Sequence, residues 1–376
     1  MVPECGGMIR LTIPDLRFSE VEQDLKKVID SGWLTRGPLT EKFEEIVGGY
    51  VGVKYAIAVS SGTAALHLVL LSMGIGQGDE VIVPDFTFAA TANTVELCGA
   101  KAVLADIDLD TFNINIEDLK RKVTSRTKAI MPVHQFGTPC NMGAILDIAK
   151  KKKIRVIEDA ACALGAEYEN KMCGNLADAA CFSFHPRKII TTGEGGIITT
   201  GNSKIADFCR RMRNHGMKNV NGKVLFYDAG YNYRLSEPAC AIGISQMRKI
   251  NQIITNRFKL AEKFNRIFRD NLIFQTPAVF NDMKQIFQSY VVLLKKGINR
   301  DKFMSSLKNN GIETTVGNHA LHLQPYYRKK YGYKALDLRN SYEASLRTVT
   351  LPLYPCMTEK EVDILRNGVW CVCGEL

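Results

Sequence analysis

Between residues 55 and 200 short apolar runs alternate with helix-like segments, and no other property of this 376-residue chain limits its fold as much. The runs read as strands at 55–59 (YAIAV), 80–84 (EVIVP), 102–107 (AVLADI), 129–133 (AIMPV), 154–158 (IRVIE), 180–184 (ACFSF) and 196–200 (GIITT). They are apolar almost throughout rather than alternating, which suits strands covered on both faces. Helices are predicted between them at 62–74, 91–99 and 142–153. The pattern is that of βαβ units, hence an α/β fold with a mostly parallel sheet of seven strands. In an open sheet of this kind ligands collect beyond the carboxyl ends of the strands, so the residue following each strand is a candidate for chemistry.

Past residue 200 the pattern changes. Helices are predicted at 205–216 and, long and broken, at 237–272, then strands at 289–294 and 348–353 around a helix at 299–311. We therefore expect a large domain over residues 1–254, opened by an arm and a first helix, and a smaller α+β domain over 255–376. Residues 1–7 read as a loose tail ahead of Met8.

Bulk properties exclude several classes. A hydrophobic content of 46% with 23% charged residues is that of a soluble globular protein. No apolar run reaches the 18 or so residues of a membrane span, and the N-terminus lacks a secretory pattern. The eleven cysteines lie mostly singly, with only Cys371 and Cys373 close together, so neither a metal set nor a disulfide framework is predicted. Reduced thiols in a cytoplasmic protein are the expectation. The formal charge of +10 is spread along the chain. Its one dense run, Lys150 to Lys153, ends a predicted helix, where cations oppose the negative end of the macrodipole. Nucleic acid is not an expected partner; an anionic small substrate is compatible with the charge.

Four strand ends stand out. Ser60-Ser61-Gly62-Thr63 opens a helix, and a helix N-terminus is either an anion site or merely capped. Phe86 and Phe88 follow the second strand and wall a pocket or pack a core. Glu158 and Asp159 close an apolar strand, where a buried carboxylate requires a partner, cofactor or structural. Lys188 follows His185-Pro186-Arg187 and precedes TTGEGG, a tight reversal rather than a dinucleotide fingerprint. It is a solvated cation or a Schiff-base nucleophile. Each plain reading suffices alone. Together the four supply what a pyridoxal phosphate (PLP) ring requires: an imine lysine, a carboxylate for the ring nitrogen, an aromatic cover and a phosphate cradle.

Six segments, SGWLTRGPLTEKFEE, VSSGTAALHLVLL, GDEVIVPDFTFAATANTV, VIEDAACALGAEY, SFHPRKIITTGEGG and GYNYRLSEPACAIG, give the chain a resemblance to the DegT/DnrJ-type nucleotide-sugar aminotransferases. The resemblance runs from about Ile9 to the C-terminus. It implies the aspartate-aminotransferase-like fold, PLP as cofactor, Lys188 as the lysine joined to it and Asp159 at the ring nitrogen. It places Phe88 on the ring and Gly62, Thr63 and Ser183 at the phosphate. Asn232 would reach the phosphate of a neighbouring subunit, which implies a homodimer with shared sites. His185 and His322 would face a nucleoside-diphosphate keto sugar, with L-glutamate as amino donor. Relatives usually carry Gln or His where this chain has Cys162, a weak donor to the cofactor. The lysine segment resembles enzymes acting at C4 of a 4-keto-6-deoxyhexose more than those acting at C3. The competing readings are an aminotransferase for a cyclitol or another ketone, a dehydratase of the same family, against which Lys188 argues, and a non-catalytic PLP- or DNA-binding regulator.

Overall fold

The computed structural model describes residues 8–280 and 282–374; the tail expected before Met8 lies outside the described residues. All seven predicted strands form one sheet: β1 (Tyr55–Val59), β2 (Glu80–Pro84), β3 (Lys101–Ala105), β4 (Thr127–Ile130), β5 (Arg155–Asp159), β6 (Ala179–Ser183) and β7 (Gly196–Thr200). Their order is β1-β7-β6-β5-β4-β2-β3. Strand β7 runs antiparallel to both β1 and β6, and the other pairings are parallel. The single reversed strand follows from the connection at 184–195, a glycine-rich turn that forms no helix and so returns the chain antiparallel.

Helices cover both faces of the sheet. Those needed below are α1 (Pro38–Val51), α2 (Gly62–Ser72), α3 (Ala90–Leu97), α4 (Glu237–Met247) and α5 (Ile250–Ile267). One face buries Leu66, Val69 and Leu70 of α2 against Ile57, Val81 and Ile198; the other buries Phe43 and Val47 of α1 against Phe182 and Ile197. The break expected within 237–272 falls at Arg248 and Lys249, between α4 and α5.

A second core gathers the C-terminal part. Strands β8 (Tyr290–Leu294) and β9 (Thr348–Leu351) pair antiparallel and, with two short strands, form a four-stranded sheet. Phe264 of α5 and Phe268, just past its end, pack there with Phe303, Leu307, Val362 and Leu365. Ile9 joins this core from the other end of the chain: its N–H donates to the Gly311 carbonyl and its carbonyl accepts from Glu313. Five cysteines among the described residues, Cys140, Cys173, Cys181, Cys209 and Cys240, are small buried core residues whose thiol pKa burial pushes up.

The start of α1 is capped from a distance. Glu237, at the start of α4 and 1% exposed, accepts from the N–H groups of Gly37, Leu39 and Thr40 and from the Thr40 hydroxyl. One carboxylate thus satisfies the free donors of a helix about 200 residues earlier and favours its positive end. Glu237→Ala strands these donors in the interior, at about 1–3 kcal/mol for each group that water cannot reach. A drop in melting temperature of several degrees is the expected result by calorimetry, with an unchanged Tm contradicting it.

Candidate active site

The carboxyl ends of β1, β2, β5 and β6 open on a cleft of about 660 Å³ that also takes in residues 315–319 and Leu353 of the second core. Gly62, Thr63, Phe88, Asp159, Cys162, Ser183, His185 and Lys188 all line it. The positions singled out in the sequence are therefore neighbours in space, although they span 127 residues of chain.

The helix start comes first. Ser61 caps α2 by accepting from the Ala64 N–H at 3.1 Å. The N–H groups of Gly62 and Thr63 have no acceptor among the described residues, as expected of a first helical turn. The turn is pressed against the sheet. A Cβ on Gly196, at the start of β7, would lie 2.5 Å from the carbonyl carbon of Ser61, and one on Gly62 would lie 2.9 Å from the Ser183 Cβ. Glycine at both positions thus brings two open amides and two hydroxyls, Thr63 and Ser183, to one corner of the cleft. That is the donor set for a phosphate at a positive helix end.

Glu158 and Asp159 part company because successive strand residues face opposite sides. Glu158, wholly buried, accepts from the N–H groups of Gly174, Leu176 and Ala177 and from His134 Nε2 at 3.1 Å. Because His134 Nδ1 accepts from the Cys140 N–H, the Nε2 atom carries the proton. His134 and Glu158, which lie close to the Cys173 thiol, are thereby engaged with each other and with the backbone. Asp159 points into the cleft instead. It is 4% exposed and accepts from the Thr91 hydroxyl at 2.8 Å and the Ala161 N–H at 3.2 Å. Burial pushes its carboxyl pKa up; Thr91, Ala161 and the charge of Lys188 pull against that shift.

Lys188 sits on the reversal joining β6 to β7. Its N–H donates to the His185 carbonyl at 2.8 Å, Phe184 exchanges bonds with Thr192 and Gly195, and Gly193 takes φ +83° at the tip. The ammonium donates to Cys162 Sγ at 3.1 Å. Cys162, the expected weak donor, is thus an acceptor for Lys188. His185 takes the Arg187 N–H on Nδ1, and burial with the adjoining cations pushes its imidazole pKa down. Phe88 leaves its ring 66% exposed at the cleft wall.

Two expected residues lie elsewhere. His322 is a correction: it is wholly buried, its Nδ1 is 2.6 Å from Asp85 Oδ2, and its Nε2 donates to the Ala335 carbonyl at 3.0 Å. Both ring nitrogens are engaged, so none remains for a substrate. Burial would push its pKa down, but the Asp85 carboxylate overrides that and holds it above the ordinary value. His319, exposed, lines the cleft in its place. Asn232 is exposed and does not line this chain's cleft. Thr91 and Gln288 were not foreseen. Thr91 lies four residues after Thr87 and bonds it at 3.0 Å, but nothing in the sequence shows that it meets a carboxylate 68 positions later.

Residues 17–369 match the family described as DegT/DnrJ/EryC1/StrS aminotransferases. The chain belongs to this family. It is 39% identical to the GDP-perosamine synthase of Caulobacter vibrioides over 94% of this chain and 96% of that one. Among solved structures it superposes with TM-score 0.93 on PseC of Helicobacter pylori, an aminotransferase involved in pseudoaminic acid biosynthesis (28% identity, 98% and 100% covered). The same score is reached with a putative sugar aminotransferase of Streptococcus pneumoniae in its pyridoxamine phosphate (PMP) form (25%, 98% of each chain). The family's cofactor is pyridoxal phosphate, and the cleft fits it: open amides at a helix tip, an uncovered aromatic face, a buried carboxylate and a lysine.

Asp159 gives a signed test. Since its folded pKa is raised, its contribution to the stability of the cofactor-free protein falls as pH rises from the ordinary carboxylate range, about 4, through the folded value. Thr91→Val removes the hydroxyl that offsets this penalty. The variant's Tm deficit should be larger at about pH 7.5 than at about pH 5, and a deficit independent of pH would contradict the assignment.

Proposed function

We propose that this chain transfers an amino group from L-glutamate to a keto sugar carried on a nucleoside diphosphate, at C4 of a 4-keto-6-deoxyhexose. The carrying observation is Lys188 in a cleft shared with Asp159, Phe88 and the open end of α2. The identity to the Caulobacter GDP-perosamine synthase supports the sugar class, as does the overlay with PseC.

Pyridoxal phosphate, when bound, supplies an electron sink for the charge left when the donor's α-carbon loses its proton. The chain does the rest. Gly62, Thr63 and Ser183 hold the phosphate, and Phe88 covers the ring. Asp159, buried and held by Thr91 and Ala161, keeps a proton on the ring nitrogen. Lys188 Nζ takes the proton from the donor's α-carbon and returns it on the other side of the reaction. His185, Arg187 and His319 line the cleft's mouth and supply donors suited to carboxylate and diphosphate oxygens.

The reading includes a homodimer. Thr63, at the phosphate corner, is exposed, and Asn232 is exposed outside its own cleft, available to a second copy. Val224, Leu225 and Phe226 are exposed on a hairpin, Met217–Val220 with Lys223–Phe226, that among the described residues pairs only with itself, and Tyr227 after it, Trp33 and Leu34 are exposed as well. Such apolar surface is characteristic of an interface. We assign the enzyme to the cytoplasm; none of the described helices is long and apolar enough to cross a membrane.

Lys188→Ala should fold, lose the cofactor adduct that borohydride fixes on the wild-type lysine, and no longer yield 2-oxoglutarate from glutamate. An adduct found on another residue would overturn the assignment. With wild-type enzyme, one sugar among a panel of nucleotide-linked 3-keto and 4-keto sugars and a keto-inositol should restore the visible band that glutamate bleaches. Restoration by the inositol alone would replace our reading with the cyclitol one. Asn232→Ala should elute as a dimer with weakened cofactor retention, and a wild-type cofactor Kd would sink the shared-site reading.

A further inference from the structure

Gln288 lies between the two cores with every polar group engaged. Its N–H donates to the Phe136 carbonyl at 2.9 Å, and its carbonyl accepts from Arg257 at 3.1 Å. Its side-chain Nε2 donates to the Arg187 carbonyl at 2.6 Å, and its Oε1 accepts from the Ser289 hydroxyl at 3.2 Å. The residue is 8% exposed, so none of these bonds is readily exchanged for water.

The bond to Arg187 matters because that carbonyl belongs to the peptide unit preceding Lys188. The turn carrying the lysine is otherwise held by bonds within itself, by Gln246 of α4, whose Oε1 accepts from the Thr191 N–H at 3.0 Å, and by the contact of Lys188 with Cys162. Gln288 is the one described side chain from the second core that bonds to residues 185–188. Gln288 cannot drift to meet the turn either. Arg257, fully buried on α5, donates from a single nitrogen to the carbonyls of Phe287, Gln288 and Leu353, and no carboxylate among the described residues is bonded to it. Burial without a counter-ion holds its pKa down, at about 10. On the other side the chain at 136–137 runs close by: the Gly137 carbonyl accepts from the Ile286 N–H at 3.2 Å, and a Cβ on Gly137, at φ +88°, would lie 3.1 Å from the Gln288 nitrogen and 3.3 Å from the Cys162 carbonyl.

We infer that Gln288 is a positioning residue for Lys188, fixing the lysine's peptide to the second core through the Arg187 carbonyl. Arg257 holds the clamp from behind, and residues 136–137 hold it from the side. The orientation of the reacting amine then depends on the seating of the second core, whose residues 315–319 also line the cleft. Misplacing a reacting group by about an ångström costs on the order of a hundredfold in rate.

This inference rests on the reading of Lys188 given above, but its first test does not. Gln288→Met keeps the length and volume and removes the donor; Gln288→Glu keeps the shape and replaces the donor with an acceptor facing a carbonyl. In the cofactor-free protein, amide exchange of a peptide covering residues 185–190 should quicken about tenfold in both variants while peptides from β1 to β5 stay at wild-type rates. In the cofactor-loaded enzyme, kcat should fall roughly ten- to a hundredfold with KM for glutamate within about twofold. Wild-type exchange at 185–190 in the folded variants overturns the inference, as does a loss of kcat wholly accounted for by a smaller folded fraction. If exchange quickens while Lys188→Ala retains the borohydride-fixed adduct, the clamp stands and the lysine assignment falls.

Discussion

A carboxylate almost wholly withdrawn from water, placed at the end of a central strand, organises this molecule. Asp159 ends β5 in the middle of the sheet, where burial drives its pKa up and only a hydroxyl and an amide answer it directly. Such a group is costly to fold and is tolerable because a ligand with a proton to share can complete it. The Thr91 helix, the Lys188 reversal and the α2 tip are arranged around that one unfinished polar site. The sheet's own regularity carries them there, since each follows a strand whose carboxyl end faces the same way.

Buried carboxylates elsewhere show the contrast. Glu158, one residue earlier, faces the opposite side of β5 and is saturated by three amides and His134. Glu237 is saturated by the start of α1, and Asp85 by His322. In each case the charge is matched within the chain, which marks a structural role. Asp159, with its open face on a cleft, is the exception. The distinction lies in the partners and not in depth of burial.

Much of this was legible in the sequence because it rests on local pattern. Unbroken apolar runs separated by helical segments specify the seven strands to within two or three residues, and the chemistry gathers at their ends because topology requires it. Contacts between distant segments were not legible. His322 shares a segment with residues of the cleft, but only the fold shows Asp85 closing over it. Gln288 lies just before β8 in no distinctive sequence, and Thr91 carries no mark of the partner it meets. The exposed hairpin is a different matter: Asn221-Gly222 between two β-prone runs is a strong turn signal, and both residues take positive φ as such a turn demands.

The bond between the beginning of the chain and its last third has a consequence for biogenesis. Leu11 and Glu313 are 302 positions apart and hydrogen-bonded, while every strand of the large sheet has been made by residue 200. On a ribosome that extends the chain from its N-terminus, the sheet can therefore close while its own leading segment still waits for a partner not yet translated. The opening residues join late, with the second core, and the catalytic pocket becomes complete only when nearly all of the polypeptide has emerged.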